Sequence, residues 1–263
     1  MNDLLKQRLG RGEMALGIML SEIYVPNITR LLAGCGYDFL LVDCEHGYFD
    51  MTQVANLIAV AEGVRLPVIV RVTQPSRTHV TKYLDMGAQG ILLSNVEDRQ
   101  EAERLVALCK YAPQGDRGVS TFRAHTGYSS DDASGIMRRA NDCVMVICQI
   151  ESPQAVAQID GITSIAGVDG VLVGPNDLSQ HMGLFGQYAH PRMTDALRGV
   201  ARSARRQNKW SGIITGDMEL VKTCRELGMS YFSAGSELSV LHNGAVAQLG
   251  MLKNALQEGE KQL

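Results

Sequence analysis

The sequence predicts an α/β protein, a single-domain (β/α)8 TIM barrel across residues 1–263, on three observations. The length of 263 residues matches the roughly 250 typical of one such barrel. Eight short β-branched or aliphatic runs recur, at 14–20, 38–42, 67–72, 90–93, 144–150, 170–173, 212–215 and 231–234. Segments with helical periodicity lie between them. The runs are continuously apolar rather than alternating, so most read as strands covered on both faces, as in parallel sheets.

The elements follow in chain order. After the second run, Val54, Leu57, Ile58 and Ala61 repeat at helical spacing; after the fourth, Ala102, Leu105, Val106 and Cys109 do the same. The widest gap, 111–142, holds Pro113, Gly115, Gly118 and Gly127 and a Ser/Asp-rich stretch near 129–134, which predicts a long loop plus a short helix. A second irregular stretch, 180–191, is Gly-rich and also follows a strand. At the C-terminus Leu238, Leu241, Ala245, Leu249, Leu252 and Leu256 form one apolar stripe. Such a stripe ordinarily packs on its own barrel wall, and a partner subunit is the alternative. No linker, low-complexity segment or second domain interrupts the pattern.

Composition narrows the function classes. A net charge of -3 supplies no basic field for nucleic acid or an anionic membrane, so the expected partners are small molecules. The N-terminus lacks the pattern of a secretory signal, and no apolar run approaches the ~20 residues of a membrane span. The six cysteines are scattered without a C-x-x-C, which suits small buried hydrophobes in a reducing cytoplasm.

In this fold, reactive groups come from the C-terminal ends of strands and the loops just beyond. The second strand runs into Asp43, Cys44, Glu45, His46 and Gly47; the third ends at Arg71; the fifth at Gln149 and Glu151; the sixth at Gly174, Pro175, Asn176 and Asp177. Each has a structural alternative. Asp43, Glu45 and Asp177 can cap helices, Arg71 can satisfy a carboxylate, and His46 can bond locally. Their convergence on one rim favours chemistry.

Glu151 and Asp177 are hard oxygen donors on neighbouring strand ends. Two carboxylates completed by water and substrate oxygens suit a divalent Mg2+ or Mn2+, with Co2+ also suitable, better than a nitrogen- or sulfur-rich zinc site. A cation held so openly can chelate a 2-oxo acid and stabilise its enolate. Arg71 offers a fixed fork of donors, His46 can move a proton near neutral pH, and the amides after Gly174 can hold a carboxylate. The lysines fall in helices, loops or tails, which disfavours a Schiff base. No nucleotide-binding glycine motif is present.

The segments Cys35 to Phe39, Asp43 to Gly47, Val70-Arg71-Val72, Gln149-Ile150-Glu151 and Gly174 to Ser179, in this order, closely resemble the metal-dependent class II pyruvate aldolases of the HpcH/HpaI family. The resemblance implies a lyase that cleaves 4-hydroxy-2-oxo acids, or 2-keto-3-deoxy sugar acids, to pyruvate and an aldehyde. It implies Glu151 and Asp177 as metal ligands, Arg71 on the pyruvate oxygens, Gln149 in contact with the ligand, and His46 in an acid/base relay. It implies Asp85 of a neighbouring subunit as the partner of His46, with Asp43 the local alternative, and a hexamer whose C-terminal helix is exchanged between subunits. The chain departs from the family pattern at Gly17-Ile18-Met19, at Asn176 and in 118–125, near the acceptor end of the pocket. A synthase using the same enolate, such as a citrate-forming member of siderophore pathways, and a non-catalytic relative that binds metal and keto acid are the alternatives.

Overall fold

A computed structural model describes residues 4–129 and 131–260; Ser130, the first three residues and the last three, Lys261 among them, lie outside the described residues. Eight parallel strands close into a barrel in sequence order: β1 (Ala15–Leu20), β2 (Phe39–Asp43), β3 (Val68–Val72), β4 (Gly90–Leu93), β5 (Met145–Ile150), β6 (Gly170–Val173), β7 (Trp210–Ile214) and β8 (Tyr231–Ser236). The helices are α1 (Leu4–Gly10), α2 (Ile28–Gly34), α3 (Met51–Gly63), α4 (Arg77–Met86), α5 (Arg99–Cys109), α6 (Ala133–Cys143), α7 (Pro153–Ala157), α8 (Ile159–Thr163), α9 (Pro175–His181), α10 (Pro191–Arg206), α11 (Met218–Glu226) and α12 (Glu237–Glu260).

The period of two along each strand divides the apolar residues into two cores. Phe39, Leu41, Ile69, Leu92, Ile147, Leu172, Trp210 and Tyr231 fill the barrel interior, and Leu5 and Leu9 of α1 join them. Leu40, Val42, Val70, Ile91, Val146, Cys148, Val171 and Ile213 face the helices. Phe39 and Trp210 stack on Tyr231, with ring centroids 4.3 and 4.9 Å away, and a Cβ on Gly170 would lie 2.2 Å from the Trp210 ring. Glycine there makes room for the indole. The same interior phase carried past the apolar layers reaches Asp43, Arg71 and Gln149, all buried and polar. Strand geometry therefore delivers these side chains to the mouth of the barrel.

Several sequence expectations need adjustment. Strand β7 begins at Trp210, because Trp210 and Ser211 pair with Gly170 and Val171 even though Ser and Gly weaken the local strand signal. The helix expected to be short within 111–142 has 11 residues: Asp132 caps it by accepting from Gly135 N, and Ile136, Ala140 and Cys143 bury its inner face. The main correction is α12. From Val240 to Leu256 its apolar residues are exposed, including Leu249 and Leu252 at 53% each, so the stripe does not pack on its own barrel wall. Among the described side chains of the helix, only that of Glu237, at its start, is buried.

Candidate active site

At the C-terminal rim, the last residue of β2 meets the fourth of β3 in register, Asp43 beside Arg71. Their side chains form a fork: Arg71 Nε donates to Asp43 Oδ1 at 2.8 Å and Nη2 to Oδ2 at 2.6 Å. Arg71 Nη1 lies 3.1 Å from Glu45 Oε2, which also accepts from Ser94 Oγ at 2.7 Å. Burial opposes the guanidinium charge, but the bonds and charge of Asp43, followed by the charges of Glu45 and Glu151, outweigh it and hold Arg71 above its ordinary range. The planar cation is thereby fixed in orientation, and of its five N–H donors some remain for a ligand.

Glu151 follows β5 and is 3% exposed. Gln149 Nε2 donates to its Oε1 at 2.6 Å, and the Asn95 amide donates to its Oε2 at 2.9 Å. Asn95 adopts φ 50, a left-handed conformation that asparagine tolerates, and this aims its N–H at the carboxylate. Burial pushes the Glu151 carboxyl up to about 7; the Asn95 hydrogen bond opposes this, the negative charges of Glu45 and Asp177 add to it, and Arg71 offsets part. A Cβ on Gly174 would lie 2.2 Å from Glu151 Oε1, so the glycine leaves this oxygen its space. Asp177 stands in the first turn of α9, and the chain provides no side-chain cap at that helix start.

These features fit a divalent cation. A buried carboxylate with two negative neighbours gains most from a positive ion, and Glu151 with Asp177 offers hard oxygens. Among the described residues no group of three or more His, Cys, Asp or Glu forms a closed metal cage. The donor set matches an ion that keeps most of its coordination for water and substrate.

The other expected residues make contacts of different kinds. His46 is exposed on the turn after β2, and no hydrogen bond joins it to Asp43, whose carboxylate is occupied by Arg71 and by the Glu45 amide at 2.9 Å. Asp85, near the end of α4, binds Arg117 Nη2 at 2.7 Å and lies 3.8 Å from His125 Nδ1. Tyr188 OH donates to Asn176 Oδ1, which ties α9 to the following loop. Gln149 Oε1 is buried without a partner beside Glu151. Glu45, Ser94 and Asn95 complete the charge network; the rule that flagged the other strand ends also covers Ser94 and Asn95, which directly follow β4.

The depressed amine that a Schiff base requires does exist, at Lys110, where burial lowers the pKa to about 8. It donates to Asn141 O and Val144 O, each at 2.6 Å, at the start of β5, whereas Glu151 follows the other end of that strand. Lys110 belongs to the floor of the barrel. Cys109, Cys143, Cys148 and Cys224 are buried, as the sequence indicated.

A family model described as HpcH/HpaI aldolase/citrate lyase matches residues 19–244. The chain belongs to this family. It is 33% identical over 251 residues to a 4-hydroxy-2-oxo-heptane-1,7-dioate aldolase of Salmonella paratyphi C, covering 94% of each chain. The solved HpcH/HpaI aldolase of Desulfitobacterium hafniense DCB-2 superposes with a TM-score of 0.89 at 32% identity, over 95% of this chain and 96% of that one. The solved citrate synthase SbnG gives 0.84 at 31% identity, over 95% and 98%. The fold and family thus match the resemblance, and both aldolase and synthase chemistries occur among relatives of similar identity.

Proposed function

We propose that this chain is a divalent-metal-dependent class II aldolase that cleaves the C3–C4 bond of a 4-hydroxy-2-oxo acid, or a 2-keto-3-deoxy sugar acid, to pyruvate and an aldehyde. One observation carries the reading: a buried arginine fixed by Asp43 and Glu45 stands in the same charge network as the unneutralised pair Glu151 and Asp177. Glu151 and Asp177 would hold Mg2+, Mn2+ or Co2+. When bound, the cation supplies Lewis-acid stabilisation of the charge that develops on the C2 oxygen.

The chain's own residues do the rest. Arg71 binds the 2-oxo acid oxygens with the N–H groups that Asp43 and Glu45 leave free, and it favours the enolate because its charge is already oriented. Gln149, through the oxygen not paired with protein, orients the ligand beside Glu151. The backbone N–H groups of Asn176 and Asp177 receive the substrate carboxylate, since Pro175 has no N–H and Gly174 N donates to Ile150 O at 3.2 Å. His46 belongs to the relay that removes the C4 hydroxyl proton; the C3–C4 electrons pass to the enolate as the aldehyde leaves, and C3 then takes a proton to give pyruvate.

The exposed faces support an assembly in which α12 is exchanged. Leu16 of β1 is 47% exposed and Leu31 of α2 65%, an uncovered stretch of barrel wall, while α12 presents an uncovered apolar face. A second copy supplying α12 to that wall would bury both, and Asp85 of a neighbouring chain would then serve His46, in a hexamer. The free cysteines suit a cytoplasmic setting, and among the described residues no helix is long and apolar enough to cross a membrane. The deciding experiment incubates the metal-loaded protein with pyruvate in deuterated water, then with an aldehyde panel. Methyl-proton exchange that requires metal and Arg71 is expected; exchange undiminished in exhaustive chelator, or a borohydride-trapped lysine adduct, would refute the reading.

A further inference from the structure

Glu237, the first residue of α12, is 4% exposed, and its carboxylate is directed back across the barrel rim. Its Oε1 accepts from three successive backbone amides, Ser21 N at 2.8 Å, Glu22 N at 2.7 Å and Ile23 N at 3.1 Å. Ser21 Oγ adds contacts of 3.3 and 3.4 Å to the two carboxylate oxygens. Consecutive amides converging on one oxygen form an anion-holding concavity, here filled by the protein's own side chain. This segment directly follows β1.

The segment held in this way continues into the site. Ser21 O accepts from Tyr48 N at 3.0 Å. Gly47 packs so closely that a Cβ there would lie 2.2 Å from Asp43 O and 2.6 Å from Ser21 O, so the turn carrying His46 has little freedom to move independently of Ser21. On the same strand, Met19 Sδ lies 3.7 Å from Arg71 Nη2. The residues from 19 to 23 are therefore in contact with Arg71 on one side and with the His46 turn on the other. The acceptor oxygen of Glu237 is what secures their far end.

We propose that Glu237 is a positioning residue for the His46 turn, linking the root of α12 to the catalytic rim through the amides of Ser21, Glu22 and Ile23. The role of the turn in turnover rests on the aldolase reading above; the mechanical link does not. Residue 237 lies at the base of the helix that leaves the barrel, so the seating of α12 is transmitted to the site by this one carboxylate. Placement errors of about 1 Å at a reacting group cost rates on the order of 100-fold, so a loosened turn is sufficient to impair catalysis.

The test uses the full-length, metal-loaded protein with Glu237→Ala, Glu237→Asp and Glu237→Gln. Glutamine keeps an oxygen acceptor at the same reach, whereas aspartate withdraws it by one methylene and alanine removes it. Amide hydrogen exchange is followed at Ser21, Glu22, Ile23 and Tyr48, with the β4 amides as an internal reference, alongside retro-aldol kcat and calorimetric Mn2+ affinity. In Glu237→Ala and Glu237→Asp, exchange at all four amides is expected to rise roughly tenfold or more, with β4 unchanged. In the same variants kcat should fall at least ~10-fold while Mn2+ affinity stays within about twofold, and Glu237→Gln should restore kcat to within about threefold. If Glu237→Ala does not fold, the aspartate and glutamine pair decides. The proposal is overturned if Tyr48 stays protected while residues 21–23 open, if kcat is unchanged with all four amides open, or if kcat and Mn2+ affinity fall in parallel. A wild-type protein with no aldol activity would instead remove the aldolase reading, and the Tyr48 amide would still decide the link.

Discussion

The charge state of Glu151 supplies the most quantitative prediction. Its pKa rises from 4.5 to about 7, led by burial, so in the folded metal-free protein the proton is held up to near-neutral pH. The sign follows from linkage: for a carboxyl raised on folding, the stabilising contribution is fully present below the unfolded value and is lost as pH rises through the folded one. That gap corresponds to about 3 kcal/mol at ~1.36 kcal/mol per unit. In excess chelator, stability should fall by up to about 3 kcal/mol as pH rises from 4.5 to about 7 through this group.

A bound cation reverses the preference, because it requires the ionised form. Proton competition at Glu151 alone should weaken Mn2+ binding about 100-fold between pH 8 and pH 5, whereas a carboxylate with the ordinary value would weaken it less than about twofold. Isothermal titration with Mn2+ at pH 8, 7, 6 and 5, together with denaturant unfolding in chelator, measures both effects. An affinity that changes less than about threefold over this range would refute the assignment of the buried Glu151 as a ligand whose proton the metal must displace.

Four further outcomes follow from the geometry. Arg71→Lys keeps the charge but loses the fork to Asp43, so kcat/KM should fall by ~100-fold or more in a folded protein; near-normal kinetics would make Arg71 only a structural partner. Gly174→Ala places a Cβ against Glu151 Oε1, so Mn2+ affinity should fall at least ~10-fold with secondary structure intact, as read by titration and circular dichroism. Leu249→Asp with Leu252→Asp charges the exposed face of α12 and should convert the proposed α12-exchanged assembly to smaller species in sedimentation. Mixing inactive His46→Ala and Asp85→Ala proteins should recover activity if Asp85 serves a neighbour's His46; no recovery in mixed assemblies would end that pairing.

Much of this molecule was legible in the sequence because a parallel barrel writes itself locally. Continuous apolar runs such as 144–150 mark strands covered on both faces, and the period of two places Asp43, Arg71 and Gln149 in the interior phase. The rule that strand ends face the site then picked out Glu151 and Asp177 from residue type and position alone. Partners were not legible, since they depend on which strands become neighbours. That Asp43 serves Arg71 rather than His46 follows from β2 and β3 lying in register, and the rise in the Glu151 pKa follows from burial and from charges contributed by separate loops. The lowered Lys110 amine is invisible in a helix end until α6 and the start of β5 enclose it. The same limit applies to α12. Its stripe of leucines announces an apolar face, but which surface it covers is decided in three dimensions. The short-range code favoured packing on its own wall, with a partner subunit as the alternative; the tertiary structure leaves the helix away from its own wall, with Glu237 as its anchor at the rim.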